Sequence, residues 1–187
     1  AQATPFAAEL PENVLSVGPS GDFPDPASAL AAAGAAPGPV VLRIESGTYP
    51  SFAIDPATLG TVHVLPDGTG PVTIDASAGP VTISGVGVGR FVELAELTIT
   101  GGASAEALRV ESSIGAVVLD ELTVQGGAGQ PGVVVDSALA VAVQRCTVSG
   151  APGLRAATAI VYVGNGSLDA LDLIGGATGK TAGVTPV

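Results

Sequence analysis

Val72, Leu97, Leu122, Cys146 and Leu171 follow one another at 25, 25, 24 and 25 residues, and each opens the same kind of short phrase: VTID, LTIT, LTVQ, CTVS, LDLI. A Gly-Gly pair follows three of these phrases, at Gly101-Gly102, Gly126-Gly127 and Gly175-Gly176. A fixed period of this length, carried on alternating apolar and polar residues, marks a solenoid. A β-sandwich also has many short strands, but it would not repeat at this period with matched glycine pairs. A doubly wound α/β fold needs a helix after each strand, and the sequence offers one good helix in all.

The period also predicts which side chains point inward. Leu97 and Ile99 align with Leu122 and Val124, Cys146 and Val148, then Leu171 and Leu173. Thr98, Thr123, Thr147 and Asp172 point the other way, because side chains alternate along a strand. Stacked coils bring equivalent positions within about 4.8 Å, so like side chains form ranks. Cys146 reads as a buried small hydrophobe within an aliphatic stack.

Three regions follow. Residues 1–16 have no period and read as an extended N-terminal arm; within them and just beyond, Asn13 to Val17 has strand character. Residues 17–39 form a capping segment, with Asp25 as N-cap, Pro26 at the first helical position, and Gly34 and Pro37 as the stop. The helix closes the apolar end of the first coil. Residues 40–187 form the solenoid.

The charge excludes some partners. Six cations against 17 acidic residues, net −11, cannot form the basic stripe that phosphate neutralisation needs, so no nucleic acid is expected. No apolar run approaches the roughly 20 residues of a membrane span. The single Cys rules out an internal disulfide. The opening Ala1-Gln2-Ala3 suits the mature side of a signal-peptide cleavage, which predicts a secreted or cell-surface protein.

The phrases VVLDELTVQGG (117–127) and VAVQRCTVSG (141–150) resemble the right-handed parallel β-helix repeat of pectate lyases and pectin methylesterases. SVGPSGDFPDPASALAAA (16–33) followed by VVLRIESGTYPSF (40–52) resembles the start of methylesterase-like chains, where a helix caps the first coil. The resemblance implies an all-β fold: a single-stranded right-handed parallel β-helix of about 24–25 residues per coil with a short N-terminal capping helix. It also implies a polysaccharide lyase or carbohydrate esterase, if the chain is an enzyme. ALRVESS (107–113) is similar to the family's strand near its catalytic site, but the Gln-Asp and Asp-Phe-Ile-Phe-Gly phrases that follow in the family are absent.

Among the residues themselves, coil alignment sets Glu111 over Asp136 and Ser112 over Ser137. Beside them Asp120 aligns with Gln144 and Asp169, and Glu121 with Arg145. Two carboxylates about 5 Å apart raise one pKa and can serve acid–base chemistry, which makes Glu111, Asp136 and Asp120 the candidate catalytic residues. A solvated turn rank explains the same alignment without chemistry. His63, the sole histidine, faces outward between Val62 and Val64 and supports neither a zinc site nor a Ser–His pair. No metal or cofactor is implied. Asn165-Gly166-Ser167 is a glycosylation sequon in a turn.

The function expected from this balance is a secreted, non-catalytic structural or interaction β-helix. Its partners are further copies of itself, joined through the N-terminal arm or the solenoid ends into an assembly or filament, with an extracellular glycan as a second candidate. The alternative is a small polysaccharide-active enzyme. Some five coils at about 4.8 Å each make a short cleft for such a substrate.

Overall fold

In the computed structural model, residues 13–34 and 38–156 are described, together with the backbone of strand residues 160–163, 167–168, 171–173, 179–182 and 185–186. The chain opens with β1 (Asn13–Val17) and the helix α1 (Pro26–Ala33). The next coil holds β2 (Val40–Ile44), β3 (Gly47–Pro50) and β4 (Ala53–Ile54), followed by a four-residue helix, α2 (Pro56–Leu59), that the period does not foretell. After it come β5 (Val62–Pro66), β6 (Val72–Ala76) and β7 (Val81–Ser84), then β8 (Phe91–Ala95) and β9 (Thr98–Gly101). Two long strands follow, β10 (Leu108–Asp120) and β12 (Val133–Gln144), with β11 (Thr123–Gln125) between them. The remainder is β13 (Thr147–Ser149), β14 (Leu154–Ala156), β15 (Ile160–Val163), β16 (Ser167–Leu168), β17 (Leu171–Leu173), β18 (Gly179–Ala182) and β19 (Thr185–Pro186).

Every strand pairing among the described residues is parallel and joins one coil to the next, so the fold is a parallel β-solenoid. Its strands line up on three faces. The first runs β1, β2, β5, β8, the second half of β10, the second half of β12, β15 and β18. The second runs β3, β6, β9, β11, β13, β16 and β19. The third runs β4, β7, the first half of β10, the first half of β12, β14 and β17. β10 and β12 cross a corner between faces, and their register shifts between Ser113 and Ala116.

The inward residues of these faces form one core. Tyr49, Ile74, Ile99, Val124 and Val148 are paired in register along the second face, and all five are buried. Leu97, Leu122 and Cys146 stack beside them at 1% exposure each. The coils are tied there by main-chain bonds, Thr123 N–H to Leu97 O at 2.9 Å and Thr147 N–H to Leu122 O at 2.8 Å. On the outside, Thr48, Thr73, Thr98, Thr123 and Thr147 form one rank of five. At the N-terminal end α1 closes the core with Ala29, Leu30 and Ala33, held by the Asp25 side chain accepting Ser28 N–H at 2.8 Å.

Three expectations need correction. Residues 13–16 are not part of an arm: Asn13 to Val17 pairs in parallel with Val40 to Ile44 of the same chain and is the first strand of the solenoid. Leu171 does not join the stack of Leu97, Leu122 and Cys146; it pairs with Leu154 on the third face, and Leu168 pairs with Val148 instead. Asp172 accordingly pairs with Arg155 and leaves the threonine rank. The cause is a shorter coil, with Val141 pairing to Ile160, so a fixed count of 25 residues overshoots onto the next face. Residues 1–12, the Gly175-Gly176 pair, Asp169 and the sequon at Asn165 lie outside the described residues.

Candidate functional site

The register brings Glu111 and Asp136 side by side on the third face, as their spacing predicts. Arg109, two residues before Glu111, points to the same side of the sheet because side chains alternate. Its guanidinium is shared. Nε donates to the carboxylate of Glu106, and Nη1 lies 3.6 Å from Glu111 Oε2. Glu106 is 8% exposed, a buried carboxylate that needs this partner. The hydrogen bond to Glu106 lifts the Arg109 pKa further above its ordinary value, against burial that lowers it, with the charges of Glu106, Glu111 and Asp136 adding to the rise. Asp136 accepts a bond from Ser137 Oγ at 3.1 Å. Glu111 and Asp136 are thus in-register carboxylates beside a guanidinium already committed to Glu106.

Asp120 does not join them. It ends the first-face half of β10, beyond the corner at Ser112 to Gly115, whereas Glu111 lies on the third face. Its register partners are Ala95 and Gln144, the second as expected. Arg145 reaches back one coil to bind it: Nη2 donates to Asp120 Oδ2, and Nε donates to Glu121 Oε1 at 2.8 Å. Asp120 Oδ1 is buried without a partner in the structure. The three candidate carboxylates therefore form two separate charged groups, one per face.

Two features escaped the sequence reading. His63 does face outward, but it is three-quarters covered: Nδ1 stands 2.7 Å from Glu93 Oε2, and the Phe91 ring lies at 5.4 Å. His63 and Glu93 are register neighbours thirty residues apart, across a coil longer than the 25-residue period, which therefore conceals them. The second is a ridge. Val88, Ile114 and Leu139 sit at one corner of successive coils and are 82%, 53% and 70% exposed. The N–H groups of Ile114 and Gly115 both donate to Val86 O at 2.8 Å, which fixes this corner coil on coil. Alternation hides the ridge too: Val88 lies in the turn between β7 and β8, and Ile114 and Leu139 lie where β10 and β12 round a corner.

Among the described residues, no group of three or more His, Cys, Asp or Glu side chains is placed to hold a metal ion, and no helix is long and apolar enough to cross a membrane.

No protein-family model matches this chain, and no curated protein matches it. Among solved structures, the crystal structure of the pectin methylesterase from Aspergillus niger in penultimately deglycosylated form is similar to it. The match covers 96% of this chain and 84% of that one, at 16% identity and a TM-score of 0.37.

Proposed function

We propose that the chain is a secreted, non-catalytic interaction scaffold that associates through the exposed corner of its central coils. The observation that carries this reading is the ridge of Val88, Ile114 and Leu139. Three large aliphatic side chains held in water on successive coils make a strip about 10 Å long, which forfeits burial worth roughly 25 cal/mol per Å² of apolar surface. Exposed aliphatic side chains repeated at one corner are a feature of interaction surfaces. Two of the three candidates serve the solenoid's own cohesion, since Arg109 pairs with Glu111 and Arg145 with Asp120. An extracellular setting suits Cys146, whose thiol, pushed up to about 11 by burial, resists oxidation.

Self-association is the partner choice that the ridge favours, because two ridges can cover one another once salt screens the net charge of −11. Sedimentation velocity at moderate salt should show association that rises with concentration. The double variant Ile114→Asn, Leu139→Asn should abolish it without loss of helix or strand signal. A chain that sediments as a monomer at every concentration removes self-association.

A second reading, carbohydrate ester hydrolysis or lysis, has one observation in its favour: Glu111 and Asp136 in register beside Arg109. Its test is methanol release from methyl-esterified pectin, together with chain cleavage of pectin and alginate with and without calcium. Turnover that Asp136→Ala abolishes would replace the scaffold reading.

A further inference from the structure

Among the described residues, β3 is the outermost strand of the second face and pairs with β6 on one side. In a parallel pair, alternate residues turn both main-chain groups toward the neighbour. Gly47 N–H donates to Pro71 O and Ser51 N–H donates to Asp75 O, each at 3.1 Å, so residues 47, 49 and 51 face β6. Thr48 and Pro50 face the other way. The outer edge therefore presents Thr48 N–H, Thr48 C=O and Pro50 C=O. Pro50 stands where its missing N–H costs β6 nothing, as proline does on an edge strand.

Across from this edge stands the loop from Gly18 to Asp25. The loop and the edge enclose an open groove of about 630 Å³, within the size range of ligand sites. The groove is preformed, because the loop is pinned to the first coils. Gly18 N–H donates to Phe23 O at 2.8 Å, Phe23 N–H to Ser16 O at 3.1 Å, and Ser20 N–H to Glu45 Oε2 at 3.1 Å. Pro19 and Pro24 supply apolar wall, and Tyr49 lies at its base with its hydroxyl donating to Glu45 O at 3.0 Å.

The charge of the groove selects its occupant. Among the described residues, its lining includes the carboxylates of Asp22 and Asp25 and no Lys, Arg or His. Asp22 accepts Ser16 Oγ at 2.6 Å and Asp25 caps α1, so both are held in place. Residues 1–12 of this chain carry Glu9 and Glu12 and no Lys or Arg, and a second copy offers only six Lys and Arg in 187 residues, so neither supplies the cations that would complement these carboxylates. We infer that the groove takes an extended cationic segment of another protein, added as a strand along Thr48 and Pro50 with Lys or Arg side chains toward Asp22 and Asp25. Main-chain bonds give such an addition its affinity and the flanking side chains its selectivity.

This deepens the scaffold reading and rests on it. Turnover of pectin by a chain that still binds the peptide would sink the non-catalytic reading and leave the groove standing. A silent groove leaves the ridge untouched.

The test is a fluorescence-anisotropy titration of the full chain with a short labelled peptide alternating Lys and Thr, against the same pattern with Glu for Lys. The Lys peptide should bind saturably and more weakly as salt rises, and the Glu peptide should not bind. Thr48→Pro removes the outward N–H and should weaken binding about tenfold at an unchanged melting temperature. Asp22→Asn, which keeps an oxygen for Ser16, should weaken it severalfold and serves if Thr48→Pro fails to fold. Equal affinity of Asp22→Asn and the parent chain, binding of both peptides alike, or no saturable binding overturns the inference. A gain in peptide affinity on deleting residues 1–12 would overturn it too, by making that segment the occupant.

Discussion

Arg145 reaches back one coil to Glu121, Nε to Oε1 at 2.8 Å, and both residues hold left-handed backbones, with φ of +52° and +51°. Glu96 occupies the same corner one coil earlier, with φ +57°. The turn from the first face to the second thus demands a conformation that costs an L-residue about 1–2 kcal/mol. At Glu121 and Arg145 the ion pair offsets part of that strain.

Glu96 separates the two effects. It is exposed, so Glu96→Gly relieves the left-handed strain at the cost of added freedom in the unfolded chain. Urea unfolding should show Glu96→Gly more stable by about 0.5–1 kcal/mol. Glu121→Gly also gives up the pair with Arg145 and should come out near neutral. A destabilised Glu96→Gly would mean that the corner is not strained.

The matched glycine pairs have a different cause. A Cβ on Gly127 would stand 1.8 Å from Gly102 O, and one on Gly102 would stand 2.4 Å from Ser77 O. These glycines let the backbone of one coil rest on the next. Gly127→Ala should cost about 3 kcal/mol, at the upper end of overpacking, or prevent folding. Gly129, at φ +73° with open space around it, should cost only about 1 kcal/mol as Ala. Equal costs in thermal unfolding would refute the close-approach account.

Inside and outside can be compared at two leucines of neighbouring coils. Leu122 is 1% exposed between Leu97 and Cys146, and Leu139 is 70% exposed on the ridge. Leu122→Ala should cost about 2–5 kcal/mol, through lost burial and the cavity left behind. Leu139→Ala should change stability by about 0.5 kcal/mol or less, as surface substitutions do. Similar losses at both positions would show the ridge to be packed in solution.

The solenoid was legible because its coils repeat physical requirements: inward aliphatics at Leu97 and Leu122, outward Thr98 and Thr123, and the close approach at Gly102 and Gly127. The register of Glu111 with Asp136 followed from the same count. What the count missed lies where coil length changes. His63 meets Glu93 across a coil of thirty residues, and Leu171 falls opposite Leu154 because the later coil is short. Strand pairing fixes which faces meet and tolerates turns of many lengths, so a period measured over regular coils fails beside irregular ones. The candidate site was legible in part: alignment placed Asp120 beside Glu111 in sequence, but the corner at Ser112 to Gly115 puts them on different faces.

Cys146 gives the solenoid a defined alkaline limit. Burial pushes its thiol up to about 11, from an ordinary value of 9.0. The neutral thiol is the form that the core accepts, so between these values the folded chain keeps a proton that the unfolded chain has lost. Stability is therefore full below pH 9 and falls as pH rises toward 11, by about 2–3 kcal/mol for a shift of this size. Tyr49, whose pKa is also raised, by burial first and then by the charges of Glu45 and Asp67, adds a loss of the same sign as pH rises above 10. Urea unfolding from pH 8 to pH 11 should show this decline. Cys146→Ala should start lower by about 1 kcal/mol, for the small cavity, and should lack the part of the decline that begins at pH 9. In the native chain at pH 8 a thiol reagent should label Cys146 only at the rate of unfolding, and at once in denaturant. Rapid native labelling, or an unchanged pH profile in Cys146→Ala, would place the thiol outside the core that Leu97 and Leu122 define.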